Sequence, residues 1–165
     1  MSWTMPSILP RKLGPSRYNA ITMTRSSDGG LRLLSVAMGV FFLCMGLSKL
    51  GWFADTDPLE AELRRWWGNA PAVSRWYIDT LAMPGLPLFA RIVPLAELAT
   101  GVALLAGFRV RLVAVIAAAM VLNFHFAMGV LFDWRYLYNA YGPPVLGSLA
   151  ALAIGPQRLP LSLPT

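Results

Sequence analysis

The chain has 165 residues, of which 56% are hydrophobic and only 13% are charged, and its formal net charge is +6. This balance excludes an ordinary soluble domain and indicates a polytopic membrane protein, and the basic residues form no stripe with interleaved aromatic residues of the kind that binds nucleic acid. One cysteine and one histidine provide neither an internal disulfide nor the ligands of a zinc, iron–sulfur or bis-histidine haem site within the chain, so no metal site is predicted.

The N-terminal segment is rich in basic residues, prolines and glycines, and it has no apolar run long enough for a signal peptide. We predict a basic cytoplasmic N-terminal tail over residues 1–30. A four-helix membrane domain over residues 31–158 follows it. The last residues, 159–165, are predicted to form a short C-terminal tail.

The first predicted membrane span covers residues 31–53, close to the length of about 20 residues that a bilayer core requires. Helical spacing places several small residues and one cation on a single face of this span. Small residues let two helices approach closely, so this face is predicted to pack inside a helix bundle. Its members are Ser35, Gly39, Phe42, Gly46 and Lys49.

Residues 54–84 form the predicted first outer loop, which contains helices rather than a span. Residues 57–60 read Asp-Pro-Leu-Glu, an order of acid, proline and second acid that is typical of a helix start. The following leucine and aromatic residues predict amphipathic helices at the membrane interface, anchored by Trp66, Trp67, Trp76 and Tyr77. A second interpretation makes these helices a lid over a lipophilic substrate.

The second predicted span, residues 87–106, carries Glu97 near its middle. A carboxylate at that depth costs a few kcal/mol even on lenient insertion scales, so it is expected to face protein or water rather than lipid. Thr100 and Gly101 share its helix face, which indicates close contact with another helix. Pro94 removes one backbone hydrogen bond and can kink the helix.

Two further spans complete the prediction. The third, residues 112–132, contains His125, which is expected to point into the bundle, and Asn123, which is expected to point elsewhere. The fourth covers residues 138–155. It carries small residues at intervals of four that predict close packing, namely Gly147, Ala151 and Gly155.

Loop charges give the orientation. Lys and Arg are in excess on the side of the two termini, whereas the 54–84 loop is rich in acidic residues, which places both termini in the cytoplasm of a bacterial-type inner membrane. The predicted fold class is all-α, a polytopic bundle of four transmembrane helices with interfacial amphipathic helices in the first outer loop.

Three segments carry a recognisable pattern: residues 46–50 (GLSKL), residues 94–98 (PLAEL) with Gly101, and residues 104–108 (LLAGF) followed by Arg111 and Leu112. Asn139 and Gly155 fit the same pattern. Over residues 31–158 the chain thereby resembles the DoxX family, which includes the DoxD-type small subunits of thiosulfate:quinone oxidoreductase. The resemblance implies a four-helix membrane bundle that is often associated with quinone or sulfur redox partners, but it implies no particular reaction.

Helix geometry places Glu97 and His125 at similar depth, with Lys49 and Arg91 nearer the outer surface. We expect a buried polar cluster of these four residues, with Glu97 in contact with Lys49 or Arg91. In one interpretation the cluster binds a quinone head group, with His125 and Lys49 as donors and Glu97 as proton acceptor. In the interpretation we favour, Lys49 and Glu97 neutralise each other and His125 donates to a carbonyl, which sets the helix register. In a third, His125 ligates a pigment or haem metal at a subunit boundary.

No catalytic residue is assigned, because the chain shows no nucleophile, metal set or redox cofactor site of its own. The leading hypothesis is an accessory subunit that docks onto a larger electron-transfer complex in the membrane and stabilises it. Its contacts with lipids and other membrane subunits are predicted to involve the N-terminal tail and the Trp-rich outer loop. The alternative is a membrane subunit of a quinone-linked oxidoreductase. A lower-ranked alternative is a subunit that contacts a pigment or haem through His125.

Overall fold

The computed structural model describes residues 15–138, 142–156 and 159–163, with side chains from residue 28 onward. Every regular element in these ranges is helical, in agreement with the predicted all-α class. Residues 1–14 of the predicted tail and Asn139 lie outside the described residues.

Six α-helices follow one another along the described chain. They are α1 (Pro15–Ser48), α2 (Asp57–Asn69), α3 (Ala72–Tyr77), α4 (Leu86–Ala106), α5 (Val110–Ala127) and α6 (Pro143–Ile154). Short turns of 3₁₀ or π-helix connect them, at Leu50–Phe53, Ile78–Ala82, Val130–Phe132 and Trp134–Tyr138.

Among the described residues, three helical segments are long and apolar enough to cross a membrane: Asp28–Ser48 within α1, and the whole of α4 and α5. They correspond to the first three predicted spans. The fourth predicted span is represented by α6, whose 12 residues cover about 18 Å. A bilayer core is about 30 Å thick, so α6 alone is shorter than a full span.

Several helix limits differ from the predicted ones, including the end of α1 at Ser48 rather than near residue 53 and the start of α6 at Pro143 rather than near residue 138. α1 begins at Pro15, well inside the predicted tail, because proline is favourable in a first helical turn and the sequence contains no further proline before position 58. α5 ends at Ala127 rather than near residue 132. Gly129 follows it with a φ of 75°, a left-handed conformation that glycine adopts at little cost and that redirects the chain.

The contact between α1 and α4 is antiparallel and is centred on three glycines. A β-carbon on Gly39 would lie 2.8 Å from Leu105, and one on Gly46 would lie 2.7 Å from Leu98. A β-carbon on Gly101 would lie 2.7 Å from the backbone nitrogen of Leu43. The two helices therefore approach as closely as small residues allow, and the predicted packing face of α1 is confirmed. Its members Ser35, Gly39, Phe42 and Gly46 are all buried.

Two separate hydrophobic cores hold the described residues together. The first lies within the bundle, among α1, α4, α5 and α6, and includes Leu159 after α6. The second lies between α2, the Ile78–Ala82 turn and the start of α4. Leu59 and Leu63, one helical turn apart on α2, are buried in this second core. α2 is thus attached through a small core of its own.

The end of the bundle where α4 finishes and α5 begins is closed by hydrogen bonds to helix carbonyls. Arg32 and Ser35 of α1 donate to carbonyl groups in the last turn of α4, at distances of 2.7–3.1 Å. Arg111 donates to the carbonyl of Ala153 in the last turn of α6, at 3.0 Å. Donors with positive charge are favourable at a helix C terminus, where carbonyls lack helical partners and the helix dipole is negative. We call this the capped end.

The predicted packing stripe of α6 is wrong at Gly147 and confirmed at Gly155. Gly147 is exposed, and a β-carbon there would meet nothing within 4 Å, whereas Gly155 approaches Leu31 of α1. Larger side chains fill the space between α6 and its neighbours, because they remove more apolar surface from contact with solvent or lipid. The buried face of α6 consists of Val145, Leu149 and Leu152.

Candidate functional site

A cavity of about 540 Å³ lies at the opposite end of the bundle, which we call the cavity end. There α1 and α5 finish, α4 and α6 begin, and residues of α2 form part of the wall. The volume falls within the range of about 300–1,000 Å³ that is usual for small-molecule sites. The wall is mainly apolar and contains many aromatic side chains. They are Phe41, Phe42, Trp52, Trp66, Tyr77, Phe89, Phe124 and Tyr136.

Lys49 and Glu97 form an ion pair in the cavity wall, so the predicted contact between them is confirmed. The Nζ atom of Lys49 lies 2.7 Å from Oε1 and 2.8 Å from Oε2 of Glu97. The same Nζ donates to the carbonyl of Met45 at 3.2 Å. An ammonium group has three N–H donors, and these three acceptors use all of them. Lys49 is therefore a paired cation rather than a free donor for a ligand.

Local sequence explains where the two charges lie. Lys49 directly follows the last residue of α1, where a cation can bind the final carbonyls and interact favourably with the helix dipole. Glu97 lies on the buried face of α4 with Thr100 and Gly101, as predicted, and its side chain is only 3% exposed. A carboxylate so deeply buried is tolerated because Lys49 neutralises it and donates to both of its oxygens.

His125 pairs with a tyrosine that lies beyond the end of α5. Its Nδ1 atom is 2.9 Å from the hydroxyl of Tyr136, and the two rings meet edge to face with centroids 5.3 Å apart. The preceding glycine turn brings the Trp134–Tyr138 segment back over the cavity. Gly142 makes room for the phenol, since a β-carbon there would lie 2.6 Å from the ring of Tyr136. Partial burial raises the pKa of Tyr136 above its usual value, so the phenol stays neutral near pH 7.

The expected partner of His125 was a backbone carbonyl, and the structure shows the Tyr136 hydroxyl instead. A possible signal was Gly129, because a left-handed glycine after a helix can return the chain toward that helix. The spacing between His125 and Tyr136 follows no helical period and could not have indicated the contact.

Arg91 does not join the cluster. Its side chain is exposed and donates to the carbonyl of Pro87 in its own helix. Position 91 is six residues before Glu97, which corresponds to about 120° around an α-helix. Arg91 and Glu97 therefore lie at neighbouring depths but on different faces of α4. The structure therefore brings Lys49, Glu97 and His125 into one cavity wall and leaves Arg91 outside it.

The four predicted aromatic anchors divide into two pairs. Trp67 and Trp76 are 41% and 64% exposed, whereas Trp66 and Tyr77 line the cavity. The indole of Trp67 donates to Asp79 at 3.1 Å. The Nε1 atom of Trp66 is buried and has no hydrogen-bond partner within the described ranges.

α3 is held against the end of α5 by polar contacts. The hydroxyl of Ser74 donates to the carbonyl of Phe126 at 2.6 Å, and the hydroxyl of Tyr77 donates to Oδ1 of Asn123 at 2.8 Å. Asn123 thus lies at the rim of the cavity, although it was expected to point away from His125. Tyr77 is positioned by both contacts, and its ring packs edge to face on Phe126.

Residues 30–130 match the family model described as DoxX, which is the family that the sequence pattern resembles. The matched region contains Lys49, Glu97 and His125 and ends before Tyr136. No curated protein and no solved structure gives a significant match to the chain.

Proposed function

The chain belongs to the DoxX family, and from that membership and the geometry of the cavity end we propose that it is a membrane subunit that binds a quinone-type molecule. Such a molecule has a flat ring with acceptor oxygens and a lipophilic tail. The observation that carries the proposal is the aromatic-lined cavity of about 540 Å³, with His125 in its wall. Apolar pockets with a few placed polar groups are the usual form of a small-molecule site.

The wall supplies two kinds of contact that a quinone needs. Aromatic side chains offer faces and edges for a flat ring, with an additional gain beyond area burial. His125 offers a titratable nitrogen within that apolar surface, and histidine exchanges protons in the neutral range. Reduction of a quinone takes two electrons and two protons. In the proposal the electrons come from a redox centre on a partner subunit, while groups of this chain bind and orient the ring.

We further propose that α1, α4, α5 and α6 are four spans and that both termini face the cytoplasm of a bacterial-type inner membrane. The capped end carries Arg32, Arg109 and Arg111, and the loop between α1 and α4 is rich in acidic residues. Basic loops stay preferentially in the cytoplasm. α2 and α3 lie at the outer membrane surface.

Cysteine-accessibility labelling tests this topology. In a Cys44→Ala background, Glu62→Cys in α2 is expected to react with an impermeant reagent added outside intact cells. A cysteine at Arg109, in the turn between α4 and α5, serves as the matched cytoplasmic position. Labelling of position 62 from the cytoplasmic side alone would overturn the proposed topology.

The accessory role expected from the sequence is part of the same proposal. In it, the subunit docks onto a larger electron-transfer complex, and the exposed Trp76 and the N-terminal residues contribute to the contact. Trp is favoured both at protein interfaces and at membrane surfaces, so an exposed Trp76 fits contact with a partner subunit and contact with lipid equally. Deletion of residues 1–14 leaves α1 whole. The deleted protein is expected to insert normally but to lose copurification with its partner, and unchanged copurification would remove the tail from the proposal.

Ligand-induced thermal stabilisation tests the quinone proposal. The purified protein in mild detergent is titrated with a short-chain benzoquinone or naphthoquinone. A ligand at 100 times its dissociation constant stabilises the folded state by about 2.7 kcal/mol, so a rise in Tm is expected. The same alkyl chain without a ring serves as the control ligand.

Two variants complete the experiment. His125→Gln is expected to reduce the quinone-induced shift, because it changes a polar group in the cavity wall. Ser148→Ala is the matched control, since the hydroxyl of Ser148 bonds only within α6, to Pro144. No shift with the quinone, or an equal shift with the ring-free chain, would contradict the proposal.

A further inference from the structure

The face of α1 that packs against α6 continues toward the cavity end. Leu31, Met38 and Met45 follow one another at intervals of seven residues, and residues seven apart lie within about 20° of each other around an α-helix. A β-carbon on Gly155, at the end of α6, would lie 3.1 Å from Leu31. Met38 is buried in the bundle core, to which α6 contributes. Met45 therefore lies on the side of α1 that faces α6.

The lengths of the two helices show that α6 begins near the level of Met45. α1 ends and α6 begins at the cavity end, so the two helices run antiparallel. The 12 residues of α6 cover about 18 Å, whereas the two heptads from Leu31 to Met45 cover about 21 Å. Met38 is accordingly only 7% exposed, whereas Met45 is partly buried and Ser48, the last residue of α1, is exposed. The last turn of α1 thus extends past the cover of α6.

The same part of α1 belongs to the wall of the cavity. Phe41, Met45 and Ser48 all line it, and none of the three is fully buried. The wall of the cavity is therefore also the outer surface of the bundle at this place. Met45 lies within the segment Asp28–Ser48, which is long and apolar enough to cross a membrane. In a bilayer this part of the surface faces hydrocarbon rather than water.

Polar groups beside Met45 are bonded within the protein. The hydroxyl of Ser48 donates to the carbonyl of Met45 at 2.7 Å, and Nζ of Lys49 donates to the same carbonyl at 3.2 Å. These donors satisfy a carbonyl in the last turn of α1, where helical partners are missing and lipid offers none. The cavity wall on this side is therefore apolar.

The wall that α2 contributes differs in its chemistry. It contains Glu62 and Arg65, which form an ion pair with each other, and the side chain of Arg65 is 68% exposed. An exposed ion pair is favourable in water and unfavourable in hydrocarbon. The cavity therefore has a charged border on α2 and an apolar border on α1.

We propose that the cavity opens toward the bilayer beside Met45, and that the hydrocarbon tail of the ligand leaves through this side opening, bordered by Phe41, Met45 and Ser48. This inference rests on the proposed quinone site, and it names the substrate class as a membrane-resident quinone rather than a water-soluble one. A tail on this path passes from an apolar wall into lipid without crossing the charged border on α2. The unbranched thioether of Met45 suits this place, because methionine adapts to irregular apolar shapes.

The test compares Met45→Trp with Leu47→Trp. Both variants place the same large side chain near the end of α1. Leu47 is 51% exposed, and it lies about 200° around the helix from Met45. Two benzoquinones with the same ring are titrated with each purified protein in detergent, one with a methyl substituent and one with a decyl chain. Dissociation constants are measured for the wild type and both variants.

Met45→Trp is expected to weaken binding of the decyl quinone about tenfold, because the indole fills the opening and displaces the tail from the apolar wall. A tenfold change corresponds to about 1.4 kcal/mol, which is close to the burial of two methylene groups. Binding of the methyl quinone is expected to stay within about twofold. Leu47→Trp is expected to leave both affinities within about twofold of the wild type.

A second measurement uses the wild type alone. A decyl quinone with a photoreactive group midway along its chain is activated in the presence of the purified protein, and the modified peptides are identified by mass spectrometry. Labels are expected on Phe41, Met45 or Ser48, and an excess of unreactive decyl quinone is expected to suppress them. Labels on Glu62 or Arg65 instead would direct the tail to the outer surface and overturn the inference.

The remaining outcomes separate this inference from the proposed function. Unchanged affinity of Met45→Trp for the decyl quinone overturns the side opening and leaves the quinone site intact. An equal loss for both quinones shows that the indole blocks the cavity itself, which also overturns a separate path for the tail. Failure of the wild type to bind either quinone overturns the proposed function, and this inference with it.

Discussion

The capped end and the cavity end of the bundle differ in what surrounds their polar groups. At the capped end, Arg32, Ser35 and Arg111 donate to helix carbonyls, and residues 159–163 pack over the turn between α4 and α5. The backbone N–H of Leu163 donates to the carbonyl of Ala106 at 3.2 Å, and Leu159 is buried in the bundle core. At the cavity end, charged and aromatic groups surround open space. One end of the bundle is therefore closed, and the other contains an open cavity.

The two hydrophobic cores also differ between the capped end and the cavity end. The bundle core extends to the capped end, whereas the cavity is lined by members of both cores, including Phe42 of the first and Leu63 of the second. α2 therefore packs on the start of α4 through the second core rather than through the main one. Variants at the capped end should change stability alone, and variants at the cavity wall should change binding more than stability, except where they leave a charge unpaired.

The largest effect on stability is expected for a variant that leaves a buried charge unpaired. Glu97→Gln leaves Lys49 without its counter-charge, and removal of one partner from a buried pair costs about 3–5 kcal/mol. Thermal unfolding in detergent is expected to show a much lower Tm than for Asp79→Asn, which changes an exposed carboxylate. The double variant Lys49→Met with Glu97→Leu should recover most of the loss, since it leaves no charge unpaired. Equal Tm values for Glu97→Gln and Asp79→Asn would contradict a stabilising ion pair between Lys49 and Glu97.

An intermediate effect is expected at the capped end. Arg32→Met removes two charged hydrogen bonds to the last turn of α4, and a hydrogen bond to a charged group contributes about 1.5–3 kcal/mol. The Tm should fall while the affinity for quinone stays unchanged. Arg91→Met is the matched control, because that arginine is exposed and bonds only within its own helix. Altered quinone affinity in Arg32→Met would mean that the two ends are coupled.

The smallest change in stability is expected for Tyr136→Phe. It removes one hydroxyl bonded to His125, and a neutral hydrogen bond contributes about 0.5–1.5 kcal/mol. Quinone affinity should nevertheless fall, because the ring of His125 loses the hydroxyl that holds it in the cavity wall. Tyr138→Phe, at an exposed tyrosine in the same turn, is the control. If the free energy of unfolding falls by more than the free energy of quinone binding, the His125–Tyr136 contact serves the stability of the fold rather than binding.

The sequence was sufficient for the ion pair because few charged residues occur within the spans and burial forces them to pair. Helical spacing correctly placed Glu97 on the buried face of α4, and Lys49 lies at the end of α1, the helix that packs against that face. It could not exclude Arg91 until direction around the helix was considered together with depth. The contact between His125 and Tyr136 could not be predicted, because it depends on a turn that begins at a glycine and follows no helical period.

Trp66 and α6 show a second limit of sequence patterns. An apolar face on α2 fits contact with lipid as well as contact with protein. The sequence therefore could not distinguish a membrane anchor from a cavity wall. The glycines of α6 had the spacing of a packing stripe, but the large residues Val145, Leu149 and Leu152 occupy the contact. Spacing indicates which residues share a face, and only the neighbouring helices determine which face is buried.

Photolabelling with a quinone tests the central claim most directly, namely that the cavity end is a ligand site and the capped end is not. A photoreactive short-chain quinone is activated in the presence of the purified protein, and the modified peptides are identified by mass spectrometry. The account predicts labels on cavity-wall residues of α2 and α5, such as Leu63 and Phe124, which an excess of unreactive quinone suppresses. Labels concentrated at the capped end, or spread over the exposed apolar faces of α4 and α5 without suppression, would contradict it.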